Sequence, residues 1–217
     1  MVKMVDRLNP AFTATLPYLK SIDKVFCNRL APFTSTNAEV SVVSELMIHD
    51  LDIILGMVNS KVKQIRANGE RLISATYDVA TAVVTFENGL ETHFTASRVA
   101  ERNYSIIEFF GPEKIYKVDF LHCLAFEYSL IGNDKLLLQE AYMAQSPNNM
   151  KMRKIEIMGL NAMEKESISI DDSIGVNQIN LQGGNVYTKN AVASLDDDKR
   201  SIELARQIEE QMNLALN

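Results

Sequence analysis

Apolar positions recur every second residue between about 61 and 120, and every third or fourth residue in the flanking segments. The two periods are those of strand and helix. A strand-like opening and a turn at Asn9-Pro10 lead into LPYLKSI (residues 16–22), whose spacing is helical, and VFCNRL (residues 25–30) reads as a strand that ends at Pro32. The loop FTSTN (residues 33–37) offers several N-cap side chains. Behind it, residues 39–59 hold no proline and a single glycine, Gly56, which predicts one long helix. KVKQIRA then precedes Asn68-Gly69, VATAVVTFE precedes Asn88-Gly89, LETHFTASR follows, and YSIIEFF is separated from KIYKVDF by Gly111-Pro112-Glu113. Asn-Gly suits the two positive-φ residues of a type I′ turn, so an antiparallel meander is expected with hairpins at both Asn-Gly pairs. After residue 122, CLAFEYSLI and MRKIEIMGL are strand-like, and a stretch rich in Asn, Ser and Asp reads as a loop. Ser194-Leu195-Asp196-Asp197 places a capping residue before an acidic first turn, opening a last helix in which Ile202, Ala205, Ile208 and Met212 share a face.

These strands are apolar on both faces. Ala82, Val84 and Phe86 back onto Val79 and Val83, and Ile107 and Phe109 onto Ile106 and Phe110. A sheet with one wetted face alternates more cleanly, so helices are expected on one face and another body, such as a second subunit, over part of the other. The predicted fold is α+β: a single domain over residues 1–217, with a large, mostly antiparallel (mixed) sheet, helices packed on one face and the other face available for oligomerisation.

Composition narrows the function classes. The 217 residues are 47% hydrophobic, enough for a sizeable core, and no apolar run approaches the roughly 20 residues of a membrane span or the pattern of a signal peptide. A cytoplasmic protein without a membrane partner is expected. The net charge of −6, with basic residues scattered among acids, leaves no stripe for nucleic acid. Cys27 and Cys123 form no CxxC, against both a disulfide framework and a zinc knuckle.

In SVVSELMIHDLDIIL (residues 41–55) the polar side chains Ser41, Glu45, His49 and Asp52 follow at steps of four, four and three, a polar stripe on a greasy helix. One turn apart, Glu45 can hold one imidazole nitrogen of His49, leaving the other to take a proton from a substrate hydroxyl. The same spacing suits a satisfied core histidine or an ordinary solvated face, and a metal site built on Glu45, His49 and a third ligand also stays open. Neither HExxH nor GxSxG occurs; His93 alternates with Glu91 and Thr95 on the polar side of a strand and is expected to be exposed, and His122 has no evident partner. GxGxxG and GxxxxGK[ST] are absent too, so no dinucleotide or nucleotide phosphate site of either usual kind is encoded.

VSELMIHDLDIIL (residues 43–55) resembles the motif helix of the glucose-fructose oxidoreductase/inositol dehydrogenase/rhizopine-catabolism (Gfo/Idh/MocA) family, in which an Asp, three residues and a catalytic His commonly follow one another. VDRLNPAF (residues 5–12) resembles that family's passage out of its nucleotide-binding half, and NRLAPF (residues 28–33) the strand before the motif helix. FENGLETHFTASR (residues 86–98) and SLDDDKRSIELARQI (residues 194–208) are similar to its hairpin and last helix. The resemblance implies the C-terminal domain of an oxidoreductase, the N-terminal Rossmann domain and its lysine motif being missing. It implies NAD or NADP in the intact enzyme and none on this chain alone, a sugar, cyclitol or nucleotide-sugar substrate, and homo-oligomerisation through the sheet. His49 then takes the place of the general acid/base, and Glu45 that of the family's Asp, one methylene longer. Asn9, Arg29, Asp52 and Arg98 become candidates to approach the substrate. A non-catalytic binding or scaffolding domain of the same fold is the alternative.

Overall fold

The computed structural model describes residues 6–130, 152–158 and 195–214. Eight strands form one mixed sheet: β1 Lys24–Leu30, β2 Val62–Glu70, β3 Val79–Phe86, β4 Glu91–Ser97, β5 Tyr104–Phe110, β6 Lys114–Asp119, β7 Leu124–Leu130 and β8 Met152–Met158. They lie in the order β2-β3-β4-β1-β5-β6-β7-β8. Only the β1–β4 pairing is parallel; every other neighbour runs antiparallel. The α+β expectation therefore holds, and β1, the first strand in the chain, sits in the middle with two meanders built outward from it.

The helices are α1 Pro10–Thr15, α2 Ile48–Met57 and α3 Leu195–Leu214. On β3 and β4 the side chains of Ala80, Ala82, Val84, Phe86, Phe94 and Ala96 alternate onto one face, where they are buried with Val25, Cys27, Ile107 and Phe109. The three helices cover that face. Phe12 of α1 packs against Phe109 and Phe120, with ring centroids 6.4 and 5.9 Å apart, and α3 lies on α2 and β2. The opposite face carries a smaller cluster, in which Phe110 and Ile115 are buried and Phe26 and Tyr128 pack beside them.

Several local expectations change. Asn9 opens a helix instead of a turn: its side-chain oxygen accepts from the N–H of Ala11 and Phe12, and Pro10 takes the first helical position, where a missing N–H costs nothing. Helical structure in LPYLKSI is confined to a short 3₁₀ turn, Leu16–Tyr18. Asn68-Gly69 is not a hairpin turn, because β2 runs through it, pairing Asn68 with Thr81 and Gly69 with Ala80. A Cβ on Gly69 would lie 2.6 Å from Met212 Sδ and 2.7 Å from Tyr77, so this glycine serves close approach. The hairpin at Asn88-Gly89 forms, but only Gly89, at φ +92°, takes a positive φ, so the turn is not the type I′ that Asn-Gly suggested. On α3, Ile202 is 56% exposed, and the buried stripe runs instead through Ser201, Leu204, Ala205, Ile208 and Met212. The Ser194 cap and the Asn/Ser/Asp-rich loop lie outside the described residues.

Candidate active site

The long helix predicted over residues 39–59 is shorter and begins differently. Its first turn, Val43–Met47, is a π-turn in which the N–H of Ile48 reaches back to the carbonyls of Val43 and Leu46. Regular α-helix begins only at Ile48. Stacking at i, i+4 belongs to the α register, and a wider turn between Glu45 and His49 takes them off a common line. Glu45 accordingly points elsewhere: its Oε2 is 3.3 Å from Arg98 Nη1. The carboxylate within ion-pair reach of His49 is that of Asp6, 3.5 Å from Nδ1.

Arg29 completes this cluster. Position 29 shares the helix-covered face of β1 with Cys27, and its guanidinium extends between two acids. Nη2 lies 2.9 Å from Asp6 Oδ2 and 2.8 Å from Asp50 Oδ1, and Nε donates to the same Asp50 oxygen at 3.1 Å. Asp50 follows His49 in sequence and is 2% exposed. Burial pushes the Asp50 carboxyl up, against the pull of Arg29. Burial also pushes the His49 imidazole down, and the Arg29 cation adds to that, while Asp6, Asp50 and Asp52 oppose it. The ring keeps 22% of its side-chain surface. It is therefore a half-buried imidazole biased toward its neutral, proton-accepting form, within a constellation of one cation and several anions.

The remaining predicted residues are held in other places. Asp52 meets Arg7 in a two-pronged ion pair, Nε to Oδ2 at 2.8 Å and Nη2 to Oδ1 at 2.6 Å, with the side chains 5% and 1% exposed. Asn9, besides capping α1, donates through Nδ2 to the Phe120 carbonyl at 3.0 Å. Arg98 is 2% exposed; it donates to Asp78 at 2.8 Å, to the Val40 carbonyl at 2.7 Å and to Thr76 Oγ1 at 2.6 Å. Of the side chains proposed to approach substrate, Arg29 joins the cluster at His49, Asp52 acts on the ring electrostatically from α2, and Asn9 and Arg98 are engaged with other partners. Asp6, Asp50 and Arg7 were missed by sequence reasoning. Asp50 lies between the stripe positions, and Asp6 and Arg7 belong to a separate 3₁₀ turn, where only the 45-residue reach from Arg7 to Asp52 reveals the partner.

Among the described residues no group of three His, Cys, Asp or Glu side chains is arranged to hold a metal. No described helix is long and apolar enough to cross a membrane.

Residues 26–117 match the family model described as the GFO/IDH/MocA C-terminal domain. UDP-N-acetylglucosamine 3-dehydrogenase of Acidithiobacillus ferrooxidans is 35% identical over 94 residues, covering 43% of this chain and 30% of that protein. A solved structure of that dehydrogenase superposes with a TM-score of 0.60 at 25% identity, over 70% of this chain and 46% of the other. Levoglucosan dehydrogenase in complex with NADH and L-sorbose gives a TM-score of 0.62 over 97% of this chain and 62% of the other; at 13% identity that likeness is one of fold. The chain spans less than a third of the length of the curated relative it matches and about half of the solved one.

Proposed function

We propose, for a chain whose residues 26–117 belong to the GFO/IDH/MocA C-terminal domain family, that it is the substrate-side domain of an NAD(P)-dependent dehydrogenase. The substrate class is a hydroxyl of a sugar, cyclitol or nucleotide-sugar, in keeping with relatives that include UDP-N-acetylglucosamine 3-dehydrogenase and levoglucosan dehydrogenase. The observation that carries this reading is the state of His49: partly open, beside an acid, and biased toward the neutral ring by burial and Arg29. A neutral imidazole is the form that accepts a proton from an alcohol, and its protonated form returns one to a ketone in the reverse direction.

The sequence contains no glycine-rich strand-to-helix turn able to seat a pyrophosphate. The residues present do not fit a dinucleotide, so the oxidant is assigned to a part of the intact enzyme outside this chain. Chemistry on this chain is confined to the proton and to holding the hydroxyl near His49. Arg29 is engaged by two carboxylates, and Asp52, Asn9 and Arg98 are engaged within the fold. We assign these four to positioning the site, and leave substrate contact to His49 and to groups contributed by the missing half.

The test is made in the intact enzyme with a panel of sugars and nucleotide-sugars and both nicotinamide cofactors. His49→Gln is expected to lower kcat by about 10²–10⁴-fold, the usual worth of a general acid/base, with cofactor KM little changed. Unchanged turnover would remove His49 from the chemistry and leave the scaffolding reading in its place.

A further inference from the structure

Nδ1 of His49 is buried without a hydrogen-bond partner, and the polar atom facing it is Oδ2 of Asp6, which Arg29 Nη2 holds from another side at 2.9 Å. They stand 3.5 Å apart. A buried, unsatisfied polar atom costs free energy comparable to a lost hydrogen bond, so a ring nitrogen left open at this distance from a carboxylate is poised to close on it. Bonds of a reactive site are often long before substrate is present and shorten when it binds.

We propose that Asp6, and not Glu45, is the positioning residue for the His49 ring: Nδ1–H is donated to Asp6 Oδ2, and Nε2 is the nitrogen presented to the substrate hydroxyl. The inference rests on the reading of His49 as the acid/base. Arg29 is the clamp. Its fork holds Asp6 Oδ2 at 2.9 Å and Asp50 Oδ1 at 2.8 Å, which fixes the Asp6 carboxylate relative to α2 although Asp6 belongs to a separate 3₁₀ turn, Asp6–Leu8. A planar guanidinium suits that bridging task, as a lysine's point charge would not. The charged groups facing His49 are therefore Asp6 from that turn, Arg29 from β1, and Asp50 and Asp52 from α2 itself. Glu45, the acid one α-helical turn away by sequence, is drawn off by Arg98. Because the chain entering α1 carries the acid and α2 carries the base, any movement of the N-terminal turn relative to α2 alters the ring's orientation.

The experiment is nitrogen-15 NMR of the imidazole rings in this chain, followed as a function of pH. His49 is assigned by its disappearance in His49→Gln. The expected result is a neutral ring protonated on Nδ1 in the unmodified chain. Asp6→Asn should shift the His49 titration midpoint downward, Asp6→Glu should restore it, and Glu45→Gln should leave it in place. A neutral ring protonated on Nε2, or a midpoint that moves with Glu45→Gln and not with Asp6→Asn, would overturn the proposal. The unmodified chain alone decides the tautomer, so a variant that fails to fold does not remove the test. If the Asp6 contact is found while His49→Gln retains full turnover in the intact enzyme, the contact stands and the dehydrogenase reading falls.

Discussion

Arg7 and Asp52 form a two-pronged ion pair inside the protein, 45 residues apart in sequence, with Ser201 of α3 donating to the same carboxylate at 3.4 Å. It joins the N-terminal turn, α2 and α3 at one point. Removing one member takes its two-pronged ion-pair partner from a buried charge, so Arg7→Met should cost about 3–5 kcal/mol. Replacing both with apolar residues of similar volume, Arg7→Met with Asp52→Leu, should recover most of that loss, because the desolvation penalty of the pair disappears with it. Urea denaturation of the single and double variants measures both. A double variant as unstable as the single would mean the charges contribute more than the cost of burying them.

Gly56 lies against the same guanidinium. A Cβ there would fall 2.6 Å from Arg7 Cζ and 2.8 Å from Nε. Elsewhere in a helix, Gly→Ala gains roughly 0.5–1 kcal/mol. At this position the methyl displaces an arginine held by two bonds to Asp52, so Gly56→Ala should destabilise the unmodified chain. In the Arg7→Met, Asp52→Leu background the ordinary gain should return. Equal effects in the two backgrounds would show that the guanidinium yields freely.

Sheet and helix periods were legible because they follow from burial on one face. The hairpin at Gly89 was legible because its positive φ demands a particular residue. Asn68-Gly69 misled because the same dipeptide meets a different demand, space for Met212 and Tyr77 from two other elements. Of the candidate site, His49 was singled out from a polar stripe, while the contact with Glu45 assumed α-helical spacing, and the π-turn at Val43–Met47 changes that spacing and leaves Glu45 3.3 Å from Arg98. Asp6 and Arg29 reach the helix of His49 and Asp50 only through tertiary packing, which no local period encodes.

Asp78 and Arg98 anchor the β2–β3 loop. The Asp78 carboxylate accepts from the N–H of Leu72 and Ile73 at 2.7 Å, from the N–H of Ser74 at 3.0 Å, from the Ser74 hydroxyl at 2.7 Å and from Arg98. Burial alone would raise its pKa; these donors outweigh burial and hold it far below the usual carboxylate range. Asp78→Ala should cost about 3–5 kcal/mol at neutral pH, since Arg98 stays buried without its nearest anion. A depressed aspartate contributes stability that is present above its unfolded value, near 3.8, and is lost as pH falls through the folded value. The unmodified and Asp78→Ala chains should therefore converge in stability only in strong acid. Convergence already at pH 5 would assign the effect to packing instead.

Self-association through the sheet is proposed from its second face. There Phe26 packs edge-on against Phe110 with centroids 5.2 Å apart and stacks on His93 at 4.6 Å, beside the ion pairs Lys24–Glu91 and Glu108–Lys117. Light scattering at high micromolar concentration should return at least twice the chain mass of 24.4 kDa. A monomer at that concentration rejects this use of the face.

The lowered pKa of His49 contributes to the acid side of the stability profile. Burial is the larger cause and Arg29 the next, so the folded chain resists protonation at a ring that titrates near 6.5 when unfolded. Between those two values the unfolded state binds more protons, and stability rises with pH. The contribution is thus complete above about 6.5 and is lost as pH falls from there through the folded value. His49→Gln carries no such group, so its urea midpoint should fall less than that of the unmodified chain over this window, with the two curves parallel above pH 7. The same titration governs the proton step: turnover of the intact enzyme in the oxidative direction should decline on the acid side with the folded His49 value. Asp6→Asn, which removes an anion that favours the charged ring, should carry that acid limb to lower pH. An acid limb that stays in place in Asp6→Asn but moves in Glu45→Gln would restore Glu45 as the partner of the imidazole.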